Sequence, residues 1–147
     1  MTTRRRDDES IAQPLTSNAT TATRVLIVDD SELSAKLCSY VLRNQGAEVV
    51  AVGDAESAAN VIAEWRPDIV LLDIELPGID GLALTRQLRA DPATADITIV
   101  AITARAMVDD RARGLAAGCD EYLTKPIDVQ TMPLRVFEAH ASRSRRT

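Results

Sequence analysis

Five residues carry the groups from which chemistry could be built: Asp29, Asp30, Asp73, Thr103 and Lys125. Each closes an apolar run. "RVLIVD" leads into Asp29-Asp30, "DIVLLD" ends in Asp73, "ITIVAIT" ends in Thr103, and "DEYLTK" ends in Lys125 before Pro126. A carboxylate at the end of a buried strand is costly to keep charged. Two carboxylates about 4 Å apart repel by roughly 4 kcal/mol at an effective dielectric of 20. Three in one cleft therefore raise their pKa values or hold a cation. An all-oxygen, half-open ligand set suits Mg2+, which keeps several waters and shares oxygen ligands with phosphoryl groups. Lys125 alone cannot neutralise three acids. With a divalent cation added, the cleft has room for one incoming anion, and Thr103 offers it a hydroxyl donor.

Five strands must deliver those groups. The apolar runs are 24–29, 48–52, 68–73, 97–103 and 120–125. They are near-continuous rather than alternating, which fits a sheet covered on both faces. Helix-like stretches lie between them. The first follows Ser31, a good N-cap, and repeats Leu33, Leu37, Tyr40 and Val41 as one apolar stripe. Gly46 stops it, as a C-terminal glycine commonly does. The second follows Asp54, read as its N-cap, and turns Ala58, Val61, Ile62 and Trp65 inward before Pro67. The third spans Gly81 to Ala90 and the fourth Met107 to Ala117, closed by Gly118. The fifth starts near Thr131, because Pro133 fits only a first turn. His140 lies near its end and reads as no phosphodonor. This alternation predicts an α/β domain with a five-stranded, doubly wound parallel sheet. Such sheets bind ligands at the carboxyl ends of their strands.

The organisation along the chain is uneven. Residues 1–23 are polar and aperiodic and read as a disordered leader. Residues 24–140 form the domain, and 141–147 read as a basic flexible tail. The net charge is −5, but Arg143, Arg145 and Arg146 in the tail leave −8 on residues 24–140. An acidic body argues against direct nucleic-acid binding. Aromatic residues make up only 3%, so Val, Ile, Leu and Ala must build the core. Cys38 and Cys119 lack CxxC spacing and read as buried reduced thiols of a cytoplasmic protein. No apolar run approaches the length of a membrane span.

Taken together, "VLIVDDS", "IVLLDIELPGIDGL", "IVAITA" and "GCDEYLTKPI", in this order and spacing, resemble the receiver domain of two-component response regulators. The resemblance covers about residues 24–140. It implies a flavodoxin-like (βα)5 fold with strand order 2-1-3-4-5. It implies that Asp73 is the phosphoacceptor, receiving its group from a histidine kinase or histidine phosphotransfer protein. Asp30 and Asp73 are then Mg2+ ligands, Asp29 acts mainly through water, and the carbonyl of Glu75 is a backbone ligand. Lys125 pairs with the phosphoryl oxygens, and the Lys125-Pro126 bond is cis. Thr103 and Tyr122 form the switch pair, the hydroxyl moving onto the phosphoryl group and the ring turning inward.

The resemblance also frames expectations particular to this chain. Glu75 and Arg105 are expected to pair across the cleft mouth and tune phosphoryl lifetime. The chain is expected to act as a stand-alone receiver. Its output to a downstream protein target would be a changed surface on helix 4, strand 5 and helix 5, with a homodimer possible when phosphorylated. It is expected to catalyse only its own phosphorylation and dephosphorylation. The alternatives are an aspartyl-phosphate hydrolase of the haloacid dehalogenase type and a non-phosphorylated scaffold. The hydrolase wants a DxD motif after strand 1, whereas Glu75 stands two residues after Asp73. An electron carrier of the flavodoxin type is disfavoured because "DDSELS" would repel a flavin phosphate.

Overall fold

Five strands, β1 (Arg24–Val28), β2 (Glu48–Val52), β3 (Ile69–Asp73), β4 (Thr98–Thr103) and β5 (Glu121–Thr124), pair in parallel in the order β2-β1-β3-β4-β5. They alternate with helices α1 (Glu32–Asn44), α2 (Ala55–Trp65), α3 (Gly81–Ala90), α4 (Val108–Ala117) and α5 (Met132–Arg146). The computed structural model describes residues 22–78, 80–104 and 108–146, the side chains of 108–110 and 146 excepted. The leader expected over residues 1–23 therefore lies outside the described residues up to 21.

Strand composition accounts for the layering. Every residue of β3 and β4 is buried, whereas the edge strand β2 is partly open. Successive strand residues point to opposite faces, so one sheet feeds two cores. Val25, Ile27, Leu71, Val100 and Ile102 pack against α1 and α5 through Cys38, Leu42, Met132 and Val136. Leu26, Val28, Val70, Leu72 and Ile99 pack on the other side with Ala58, Ile62 and Leu88. Each such large side chain contributes about 1.5–3 kcal/mol by burial.

The helix boundaries follow their caps. Ser31 Oγ accepts from Ser34 N at 3.3 Å, and Asp54 Oδ1 accepts from Ser57 N at 2.7 Å. Asp80 does the same for α3 through Leu82 N at 2.9 Å. Gly46, just past α1, adopts φ +94°, a conformation that favours glycine.

Helix α1 departs from its predicted stripe. Leu33, Leu37 and Tyr40 face solvent, at 79%, 43% and 67% exposure. The buried arc is Ala35, Cys38, Ser39 and Leu42 instead. Small residues let the helix lie close on the sheet, so the larger apolar side chains occupy its outer face. Only Val41 of the expected stripe packs on the core.

The carboxyl-terminal segment also differs. A flexible tail was expected from residue 141, but α5 continues to Arg146. Arg143 Nε lies 3.2 Å from Asp120 Oδ2, which also accepts from Arg89 at 2.7 Å and from Ile99 N at 2.9 Å. Arg89 Nε donates to Gly118 O at 2.9 Å, and its Nη1 reaches Ala95 O at 3.0 Å. A buried charge is tolerated when paired and hydrogen-bonded. This network ties α3, β4, β5 and α5 together at the amino ends of the strands. His140, rather than marking a helix end, sits inside α5 with Nδ1 2.8 Å from Thr98 Oγ1.

Candidate functional site

The carboxyl ends of β1, β3, β4 and β5 converge. Asp29 follows β1 and continues its ladder, donating from its N to Val52 O at 3.0 Å. Its Oδ1 accepts from Ser31 N at 2.9 Å, which folds the turn into α1. Asp73 is the last residue of β3, and its Oδ1 accepts from Glu75 N at 2.9 Å. Ile74 N then donates to Ile102 O at 3.0 Å, so the loop leaves the sheet in a fixed direction. Lys125 follows β5, and its N donates to Thr103 O at 2.7 Å. The Lys125-Pro126 peptide is cis.

These strand ends place Lys125 Nζ between two acids, 3.2 Å from Asp73 Oδ2 and 3.2 Å from Asp29 Oδ2. Asp29 thus faces Lys125 directly. Asp29, Asp30 and Asp73 each bring a carboxylate oxygen within 4.8 Å of the other two. Oxygens around an octahedral Mg2+ at 2.0–2.1 Å stand about 2.9 Å apart when adjacent and about 4.2 Å when opposite. The three carboxylates stand near enough to share one such ion, and would draw closer around it to reach those spacings. Asp29 and Asp73 are buried and Asp30 is exposed. The donor set is therefore all-oxygen and open on one side, where waters and a phosphoryl oxygen would complete it.

Burial and the neighbouring acid both disfavour the charged form of Asp73. Burial pushes the Asp73 carboxyl above its ordinary range, and Asp29 adds to the rise. The Glu75 N–H and Lys125 only partly oppose it. Burial alone would lower Lys125, but its hydrogen bonds to Asp29 and Asp73 leave its pKa raised. A further cation would relieve this imbalance.

The remaining predicted residues are placed as follows. Thr103 closes β4, fully buried, beside Thr124 in register. Tyr122 lies on β5 with its ring turned inward, at 4% exposure. Glu75 Oε1 accepts from Ala104 N at 3.0 Å and so reaches across to the loop after β4. Arg105, its expected partner, lies outside the described residues. Asp54 caps α2 and takes no part in the acid cluster.

Two features went unread in the sequence. Gly81 has no room for a side chain, since a Cβ there would stand 2.5 Å from Ile74 Cα. It holds the loop that follows Asp73. The only trace in the sequence is a glycine directly after the cap Asp80. The Arg89–Asp120–Arg143 cluster had no signal either, because its members are far apart in the chain.

Relatives of known description share this architecture. The pattern of the response regulator receiver domain family matches residues 25–137. The DNA-binding dual master transcriptional regulator RpaA of Synechocystis sp. is 37% identical over 113 residues, covering 77% of this chain and 47% of that protein. The DNA-binding response regulator MtrA of Mycobacterium tuberculosis is 39% identical over 113 residues, covering 77% and 48%. The chain thus spans about half the length of these curated relatives. A crystal structure of a putative response regulator from Chloroflexus aurantiacus superimposes with a TM-score of 0.78 at 35% identity, covering 82% of this chain and 99% of that one. With that match across the ordered sheet, and acids, hydroxyl and lysine gathered at its carboxyl pole, the chain belongs to the response regulator receiver domain family.

Proposed function

We propose that Asp73 accepts a phosphoryl group from a phosphohistidine of a histidine kinase or phosphotransfer protein, with Mg2+ as cofactor. The observation that carries the reading is the juxtaposition of three carboxylate oxygens with Lys125 at the mouth of the sheet. Asp29, Asp30, Asp73 and the Glu75 carbonyl would hold the ion, Asp29 mainly through water. When bound, it would neutralise charge on the transferring group. Asp73 Oδ1 is held by Glu75 N and Oδ2 faces Lys125. The carboxylate is therefore oriented before an in-line attack, and most of the catalysis is positioning. Lys125 then passes from the carboxylates to the phosphoryl oxygens, and the Thr103 hydroxyl closes on the same group. The chain turns over no other substrate in this reading.

The test is intact mass after treatment with acetyl phosphate and Mg2+. One phosphoryl group should add to the wild type and none to Asp73→Asn. An equal gain in the variant would overturn the reading, and turnover of a phosphomonoester would favour the hydrolase. Glu75, anchored on Ala104 N, shields the mouth from water and together with Arg105 sets the lifetime of the acyl phosphate. Unchanged half-lives in both Glu75→Ala and Arg105→Ala would remove that role.

The partners follow from the faces around the site. The exposed stripe Leu33, Leu37 and Tyr40 runs along α1 from the acid cluster. It suits the apolar surface of a phosphodonor protein. Alanine at all three should slow transfer from such a donor and leave acetyl phosphate reactivity intact. The output face is α4, β5 and α5, where Glu121 pairs with Arg135 at 3.1 Å and Arg111 at 3.7 Å. A downstream target, or a second phosphorylated copy, would meet the chain there. Light scattering with and without phosphorylation tests the dimer. RpaA and MtrA are named as DNA-binding proteins. The −8 on residues 24–140 opposes direct nucleic-acid contact by this domain. A cytoplasmic location is proposed from the family's role as a substrate of histidine kinases; no helix among the described residues is long and apolar enough to cross a membrane.

A further inference from the structure

Helix α4 meets β5 through an unusual contact. Gly114 is buried in the middle of α4, on the side that faces the sheet. A Cβ built there would stand 2.9 Å from Tyr122 Cδ2 and 3.2 Å from Cε2. Real Cβ atoms essentially never approach a neighbour below 3.0 Å. Glycine is among the poorest helix formers, and no turn or positive φ calls for it at this position. Its conformational cost in α4 must be offset by something, and the ring of Tyr122 is what fills the place of its missing side chain.

We propose that Gly114 is the seat of the inward Tyr122 ring, and so a positioning residue for the conformational output of this domain. The inference deepens the phosphoacceptor reading above and rests on it for its meaning. Tyr122 is flanked from both sides of the output face. Its carbonyl accepts from Arg111 of α4 at 3.4 Å and from Arg135 of α5 at 3.3 Å. With the strand held there, an inward ring and a side chain at position 114 cannot both keep their places, and either the ring or α4 must shift. Ring position and helix position are therefore one variable. Thr103, fully buried at the end of the neighbouring strand, is the element through which a phosphoryl group on Asp73 would bias it. Ala117, the other buried residue of the described part of α4, is also small.

The experiment uses the full chain with 3-fluorotyrosine at its two tyrosines, Tyr40 and Tyr122. Fluorine NMR with a soluble paramagnetic agent reads the exposure of each ring, and Tyr40→Phe assigns them. In the wild type the Tyr122 signal should be protected and the Tyr40 signal bleached. In Gly114→Ala the Tyr122 signal should bleach as well, with and without acetyl phosphate and Mg2+. Intact mass should still show one added phosphoryl group, because Gly114 touches none of the reacting atoms. The second arm is thermal. Gly114→Ala should lower Tm in the wild-type background and raise it in Tyr122→Ala, where only the helix preference remains. A Tyr122 ring as protected in Gly114→Ala as in wild type, or a Tm that rises in both backgrounds, would overturn the inference. Loss of phosphorylation in wild type itself would instead overturn the phosphoacceptor reading and leave the seat intact.

Discussion

Lys125→Met removes the ammonium that faces two carboxylates while keeping an unbranched side chain of similar length. Lys125 Nζ stands 3.2 Å from one oxygen of Asp73 and 3.2 Å from one of Asp29. At an effective dielectric of 20, each contact is a Coulomb attraction of about 5 kcal/mol. The carboxylate oxygens, within 4.8 Å of one another, repel by about 3.5 kcal/mol or more on the same basis. The full sum is not lost, because desolvating the lysine cost several kcal/mol and one acid can take up a proton. Breaking a buried pair by removing one partner costs about 3–5 kcal/mol. The open side of the site favours the lower end, about 3 kcal/mol, or roughly 12 °C in Tm for a domain of this size. That loss applies without divalent metal at neutral pH. Saturating Mg2+ should recover most of it, since the ion binds only the folded state and about 100-fold excess over Kd contributes about 2.7 kcal/mol. Calorimetry with EDTA and with Mg2+ reads both values. A metal-free loss under about 3 °C, or a gap that Mg2+ does not narrow, would refute the view that Lys125 is a stand-in cation for an overcharged acid cluster.

Three further outcomes follow from the same geometry. The folded pKa of Asp73 is raised, so its contribution to stability is greatest at low pH and is lost as pH rises through that value. Asp73→Asn should therefore melt higher than wild type at pH 7 without metal, with the gain vanishing below about pH 3.9; a lower Tm at pH 7 refutes this. Gly81→Ala should cost about 1–3 kcal/mol by overpacking against Ile74 and weaken Mg2+ binding, as read by titration calorimetry, and an unchanged Mg2+ affinity would argue that the loop does not hold the site. Burial pushes the Cys38 thiol up to about 11 and raises Cys119 as well. Neither should react with iodoacetamide at pH 8 until the chain is unfolded, when two labels should appear by intact mass.

Strand existence and strand ends were legible because buried parallel strands need continuous apolar runs, and polar groups at their ends have few other places to go. Asp29, Asp73, Thr103 and Lys125 were found in that way. Strand order required the resemblance, since periodicity says nothing of neighbours. The outer face of α1 was misread because a stripe of Leu33, Leu37 and Tyr40 looks the same whether a sheet or a partner is meant to cover it. Small residues such as Ala35 and Ser39 carry no hydrophobic signal yet set the packed side. The tail was misread for a related reason. Three arginines suggest solvent until an acid such as Asp120, more than twenty residues away, takes one of them.

The Arg89–Asp120–Arg143 cluster also decides where this domain can be cut. A fragment ending at residue 140 satisfies the sequence pattern but strips Asp120 of the Arg143 guanidinium and removes the end of α5. A fragment carried through Arg143 keeps that contact. The amino pole of the sheet, by this account, is the clamped end of the molecule, and the acid cluster with its ring and helix works at the free end. Motion excited by a phosphoryl group would therefore grow with distance from Asp120, as it does in a reed fixed at its base.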